Sequence, residues 1–412
     1  PFPMHRLLIG DVGSGKTVVA LLAALHAVER GLQVAFMAPT EILVQQHAGT
    51  LERFAAPAGC AVATLTGATP AATRQALARR LAAGEPLLVV GTHALLESKV
   101  SLPALGLAIV DEQHRFGVKQ RATLARKGVI PDVLVLSATP IPRTLALAVH
   151  GDLETSTLRA RPSGRGRLVT RVTREEKFPQ VLEFVSREIA SGHQIYVVVP
   201  LIEEAGRSDF KAAAAEAMRL AQHPLLHSAR VGLLHGRLKP EAKRAVMEDF
   251  ATGRLDVLVA TTVVEVGLDV PNATVMVVEN ADRFGLSQLH QLRGRVGRGA
   301  HRSVCVLIPG PSATTTGRER LEEMIRSDDG FALAEADLRL RGPGELWGVR
   351  QSGLPRLKMA DLWRDAALVI RARDAARTLL ESDPRLASPR NDALRTVLLE
   401  RFREPLELAL AG

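Results

Sequence analysis

At 412 residues, 46% of them hydrophobic, the chain is too long for one ordinary core and long enough for two or three domains, which excludes a miniature fold held by staples. Its formal charge of +9, carried mainly by arginine, fits either a polyanionic partner, whose phosphates a guanidinium grips two oxygens at a time, or a genome that writes arginine on solvated helix faces. Cys60 and Cys305 stand without a CxxC neighbour, and no stretch reaches the roughly 18 apolar residues of a membrane span. Composition thus points away from disulfide scaffolds, structural metals and membrane proteins and toward a soluble, cytoplasmic one.

In chain order, short apolar runs at Leu7–Ile9, Val34–Ala38, Ala61–Leu65, Leu87–Val90, Leu107–Val110 and Val133–Leu136 alternate with helix-period segments. This is the alternation of βαβ units around a mainly parallel sheet. A Pro-, Gly- and Arg-rich stretch, Arg159 to Arg167, reads as a linker, after which strands are expected at Ile195–Val199, Val231–Leu234, Val257–Ala260, Val275–Val278 and Val304–Leu307. Beyond Pro311 the pattern turns helical (Glu319–Arg326, Met359–Glu381), interrupted by a Gly- and Arg-rich segment, Leu338 to Gly353. The expected fold class is α/β: a first lobe over 1–155, a linker over 156–170, a second lobe over 171–312 and a mostly helical C-terminal element over 313–412. The two lobes are expected to resemble each other in pattern alone. The phosphate-loop pattern begins as early as Gly10, so the chain is expected to be part of a longer protein.

Gly10-Asp11-Val12-Gly13-Ser14-Gly15-Lys16-Thr17 satisfies GxxxxGK[ST] between a strand run and the helical run Val18–Glu29. Backbone N–H groups of such a loop at a helix N-terminus form an anion site, Lys16 reaches the β- and γ-phosphates of ATP, and Thr17 offers its hydroxyl to Mg²⁺. Leu107–Val110 ends in Asp111-Glu112-Gln113-His114. Asp111 is placed to serve Mg²⁺ and Glu112 to polarise an attacking water, although an Asp-Glu pair after a strand also serves as a plain helix cap.

The ordered set GDVGSGKT, DEQH, SATPIPRT (Ser137 to Thr144) and QLHQLRGRVGRG (to Gly299) resembles the helicase superfamily of the DEAD-box and related motors. The resemblance implies RecA-like lobes. It also implies that Ser137 and Thr139 link the nucleotide to lobe movement, as does His114, and that Gln291, Arg295 and Arg298 face the phosphates from the second lobe. Gly267 and Asp269 would sit near nucleotide and Thr261 near the DNA backbone. Thr40, Thr92 and Arg237 are further backbone-contact positions, each open to a plainer reading as a turn or cap residue. Aromatics are 3% of residues, so no stacking platform for single-stranded bases is evident and duplex is favoured.

The extended wording DEQHRFG, SATPIPRT and FGLSQLHQLRGRVGRG is shared by two bacterial families, RecG and the transcription-repair coupling translocase. Gln113 and the tail, DLRLRGPGELWG followed by RQSG, are similar to RecG. That resemblance implies an ATP-dependent translocase of double-stranded and branched DNA, acting as a monomer in fork reversal, branch migration, recombination and repair. In it Arg339, Arg341 and Arg350 couple lobe movement to DNA; read without it, they are solvent-facing charges or flank a glycine hinge. Transcription-repair coupling, and a slow nucleotide-dependent binding switch, are the alternatives. The wedge domain of that family lies N-terminal to the motor, outside this sequence.

Overall fold

The computed structural model describes residues 3–111, 131–137, 153–159, 166–200, 208–261, 270–345 and 365–400. The first lobe runs β1 (His5–Gly10), α1 (Lys16–Glu29), β2 (Gln33–Met37), α2 (Glu41–Ala55), β3 (Val62–Leu65), α3 (Ala71–Ala82), β4 (Leu88–Gly91), β5 (Leu105–Val110), β6 (Asp132–Ser137) and β7 (Glu154–Leu158). Its strands are parallel, in the order β3-β4-β2-β5-β6-β1-β7. β2 is buried along its whole length because helices cover both faces, which is why it reads as a continuous apolar run rather than an alternating one. The two faces are separate cores, one around Leu7, Ile9, Val89 and Val135, the other around Phe36, Val90, Ile109 and Leu136.

The second lobe runs β8 (Leu168–Val172), α4 (Phe178–Ala190), β9 (Gln194–Val198), α5 (Ser208–Ala221), β10 (Val231–Leu234), α6 (Pro240–Ala251), β11 (Val257–Ala260), β12 (Ala273–Glu279), α7 (Leu286–Arg293) and β13 (Ser303–Ile308). Its order is β10-β11-β9-β12-β13-β8, again parallel. Taken position by position, this is the order of the first sheet without β7. The likeness reaches side chains. Gly31 and Gly192, at φ 78° and 83°, end the first helix of each lobe, and each opens a matching stretch, GLQVAFMAP and GHQIYVVVP. Gln33 Nε2 donates to the Leu81 carbonyl at 2.7 Å and its Oε1 accepts the Ala104 amide at 3.1 Å. Gln194 Nε2 donates to the Leu255 carbonyl at 2.8 Å, and its Oε1 accepts Asn272 Nδ2 at 3.4 Å. Both amides are buried and settle backbone groups that helix ends and strand starts leave over. The lobes therefore share residues as well as pattern, contrary to expectation.

Two strands escaped the sequence reading. β7 (ETSTL) and β8 (LVTRV) are polar or mixed because each lies at the edge of its sheet, where a strand needs no continuous apolar run. Residues 156–158 and 168–170 thus belong to sheets.

After β13 come α8 (Thr315–Arg326), α9 (Gly330–Glu345) and α10 (Ala366–Ser382). Ser327, Asp328 and Asp329 alone join α8 to α9. α9 runs on through Gly342-Pro343-Gly344, where an interruption was expected. Leu333 and Ala336 are buried in the core of the second lobe and Leu340 packs against it, which anchors the part of the helix that precedes these glycines. The lobes interlock through side chains: Ile42 of α2 packs against the second lobe's core, and Phe331 of α9 against the first lobe's. Among the described residues no helix is long and apolar enough to cross a membrane.

Candidate active site at the lobe boundary

The phosphate loop leaves the C-terminal edge of β1 and enters α1 through Gly15. Gly13 and Gly15 hold φ at 77° and 91°, the left-handed region that turns successive amides inward. A methyl on Gly10 would collide with Ser14 Oγ, so a larger residue there would have to displace that hydroxyl. Ser14 Oγ itself is buried without a hydrogen-bond partner among the described residues. Lys16 is buried, and its Nζ donates to the carbonyls of Gly10 and Asp11, both at 2.8 Å. An orphaned hydroxyl, an inward ring of amides and an ammonium over them form a cradle for a polyphosphate.

Asp111 closes β5 beside this loop, its amide bonded to the Met37 carbonyl at 2.9 Å. Its Oδ2 meets Nε2 of His47 at 2.8 Å, and both side chains are nearly buried. His47, packed at a tilt against Phe36 with ring centroids 4.8 Å apart, was missed by sequence reasoning. The signal was there: it lies on the stripe of α2 that buries Leu43, Val44, Ala48 and Leu51, where a lone polar residue asks for a partner. The oxygens of Thr17 and Asp111 are hard donors suited to Mg²⁺. Among the described residues there is no cluster of three or more His, Cys, Asp or Glu that could hold a metal.

The second lobe meets the loop through α7. Gly285 opens this helix with its amide held by Gln288 Oε1 at 3.1 Å. One turn apart, two residues touch the loop. His290 Nε2 lies 2.5 Å from Asp11 Oδ1, and a Cβ on Gly294 would stand 3.2 Å from Val12 side-chain carbons. Gln291 is buried on the same helix; Arg295 and Arg298 follow, Arg298 Nε donating to the Gly294 carbonyl at 2.9 Å. Burial pushes the Asp11 carboxyl up, but hydrogen bonds from His290 and from the amides of Val12 and Gly330 outweigh it and hold the group below its ordinary value.

The other expected positions, for DNA contact, coupling and nucleotide, are spread over both lobes and the tail. Thr40 and Thr92 cap α2 and the short turn at His93–Leu96, their hydroxyls accepting the Leu43 amide at 3.4 Å and the Ala94 amide at 3.5 Å. Ser137 and Thr261 are buried at the ends of β6 and β11, whereas Arg237 and Arg339 are exposed, Arg339 lying 3.5 Å from Glu323 of α8. Arg341 lies in α9. Glu112, His114, Thr139, Gly267, Asp269 and Arg350 lie outside the described residues.

Three family profiles match successive parts of the chain: DEAD/DEAH box helicase over 4–148, helicase conserved C-terminal domain over 176–300, and ATP-dependent DNA helicase RecG, domain 3, C-terminal, over 327–408. The ATP-dependent DNA helicase RecG of Synechocystis is 49% identical over 98% of this chain and 48% of that protein; that of Bacillus subtilis is 47% identical over 97% and 58%. A solved structure of RecG bound to a three-way DNA junction matches with a TM-score of 0.73 at 46% identity, covering 89% of this chain and 47% of that one. The chain spans about half the length of the curated relatives it matches. Yeast Dbp5 bound to RNA, at 16% identity and a TM-score of 0.60, shares the fold.

Proposed function

Since the chain belongs to the RecG helicase family, we propose that it couples ATP hydrolysis to movement along double-stranded DNA and works on branched DNA, in the bacterial cytoplasm. The observation that carries this reading is the approach of α7, the helix just before Arg295 and Arg298, to the phosphate loop of the other lobe, His290 to Asp11 at 2.5 Å.

In this reading the loop amides and Ser14 Oγ bind the polyphosphate, and the Lys16 ammonium exchanges its two carbonyl partners for the β- and γ-phosphates. Thr17 and Asp111 would hold Mg²⁺, which when bound neutralises phosphate charge. Glu112 orients the attacking water. Gln291, Arg295 and Arg298 stabilise charge on the transferred phosphoryl group from across the boundary, so hydrolysis requires the lobes to be closed. Ser137 and Thr139, with His114, relay that closure, and Gly267 and Asp269 line the nucleotide from the second lobe. DNA lies along the loops at Thr40, Thr92, Arg237 and Thr261; the capping threonines keep their O–H for a phosphate oxygen. Arg339, Arg341 and Arg350 pass lobe movement to the duplex.

The test is ATP turnover at one fixed salt without nucleic acid and with linear duplex, forked DNA, single-stranded DNA and RNA, using Lys16→Ala as the blank. Stimulation by duplex or fork that vanishes in the blank is the expected result. Preferential stimulation by RNA would overturn the reading.

A further inference from the structure

Asp11 is joined to more than the phosphate loop. Its carbonyl accepts Lys16 Nζ at 2.8 Å, while its carboxylate meets His290 at 2.5 Å. His290 is in turn held by Arg293, whose Nη2 lies 2.9 Å from its Nδ1. A guanidinium has donors alone, so Nδ1 is the acceptor and the ring proton sits on Nε2, where it donates to Asp11. Arg293 is 2% exposed, and its Nη1 donates to the carbonyls of Met324 and Ser327, both at 2.9 Å, and lies 3.3 Å from Asp328. Met324 belongs to the last turns of α8, and Ser327 and Asp328 to the elbow between α8 and α9. The path from Asp11 through His290 and Arg293 thus reaches the elbow.

We propose that His290 is a positioning residue whose fixed tautomer, set by Arg293, ties Asp11 of the phosphate loop to the α8–α9 elbow, so that the loop's response to nucleotide is felt at the base of α9. The inference rests on the nucleotide site described above and adds a connection to it. Lys16 is the trigger: when its ammonium turns to phosphates it releases the Asp11 carbonyl, and the loop residue that holds the elbow is freed on its main-chain side. No proton is transferred. The hydrogen-bond order runs one way, from guanidinium to imidazole to carboxylate, and a ring protonated on both nitrogens would turn an N–H against the Arg293 fork.

Two substitutions separate the halves of the ring. In His290→Gln the amide nitrogen falls near Nε2 and keeps the donor to Asp11; in His290→Asn the amide oxygen falls near Nδ1 and keeps the acceptor for Arg293 while the Asp11 bond is lost. Amide hydrogen exchange across Met324 to Leu333 is measured in the full chain with and without a non-hydrolysable ATP analogue. Fluorescent-nucleotide binding and the melting temperature are measured alongside. The expected result is a nucleotide-dependent change at the elbow that is lost in both variants, since each breaks one of two bonds in series, with nucleotide binding and Tm held. An unaltered response in either variant overturns the proposal, and loss accompanied by a fall in Tm, the mark of a merely structural histidine, does so too. If nucleotide binds the unsubstituted chain and the elbow does not respond, the connection falls and the ATP site stands; if nucleotide does not bind, both fall.

Discussion

The Asp111 carboxylate is engaged at Oδ2 by His47, which fixes how it is turned. Groups that orient a metal-binding carboxylate are commonly worth about ten- to a hundredfold in metal affinity. His47→Ala is therefore expected to raise the Mg²⁺ concentration needed for half-maximal ATP turnover by about tenfold or more, read from a Mg²⁺ titration at saturating ATP. Gly294 offers a second test. Its missing Cβ is the spacer between α7 and Val12, and a methyl there meets three Val12 carbons at 3.2 Å. Gly294→Ala should hold the arginines away from the phosphates and lower kcat by about tenfold or more, with a smaller change in KM; an unchanged kcat would show that α7 has room to spare. At this scale the sequence was most legible where glycine and charge spell a phosphate site, Gly10 to Thr17 and Asp111. It was least legible where partners come from far along the chain. His47 lies 64 residues from Asp111 and His290 lies 279 from Asp11, and neither spacing leaves a local trace.

Among elements, the strand-rich core was legible because buried parallel strands are continuous apolar runs, while the edge strands β7 and β8 were hidden by their polarity. The repeat of Gln33 and Gln194 was visible in the flanking GLQ and GHQ. It passed unread because only one buried amide per lobe carries it. A different buried polar group makes β12 sensitive to pH. Burial and the neighbouring Glu216 carboxylate push the Glu279 carboxyl up to about 8, against the pull of Arg219, which forks onto Glu216 at 2.6 and 2.7 Å and reaches Glu279 at 3.0 Å. The folded chain keeps this proton where the unfolded chain has released it. Stability is therefore full below the ordinary glutamate range and is lost as pH rises toward about 8. Glu279→Gln should flatten that decline and unfold at higher urea than the parent at pH 8, with little difference at pH 5; parallel curves at both pH values would show that the pair carries no proton.

Across the whole molecule, the contacts between lobes among the described residues are specific. Ile42 packs against one core, Phe331 against the other, and α10 returns to the first lobe, where Arg377 reaches Glu154 of β7 at 2.8 Å beside Arg6. That surface pair counts for little alone. Phe331→Ala removes an apolar anchor of α9 on the first lobe and should speed proteolysis within α8 and α9 while leaving nucleotide affinity within about twofold, since partial burial is worth only about 1 to 2 kcal/mol. Equal proteolysis rates would place the tail's attachment elsewhere. The matched sheets carry one more consequence. β8 is the counterpart of β1, yet it opens onto Thr173-Arg174-Glu175-Glu176, where β1 opens onto glycines. The same frame thus ends in a glycine loop in one lobe and in a charged turn in the other. On the proposed reading the lobes serve as lock and key to each other, and neither is expected to burn fuel alone.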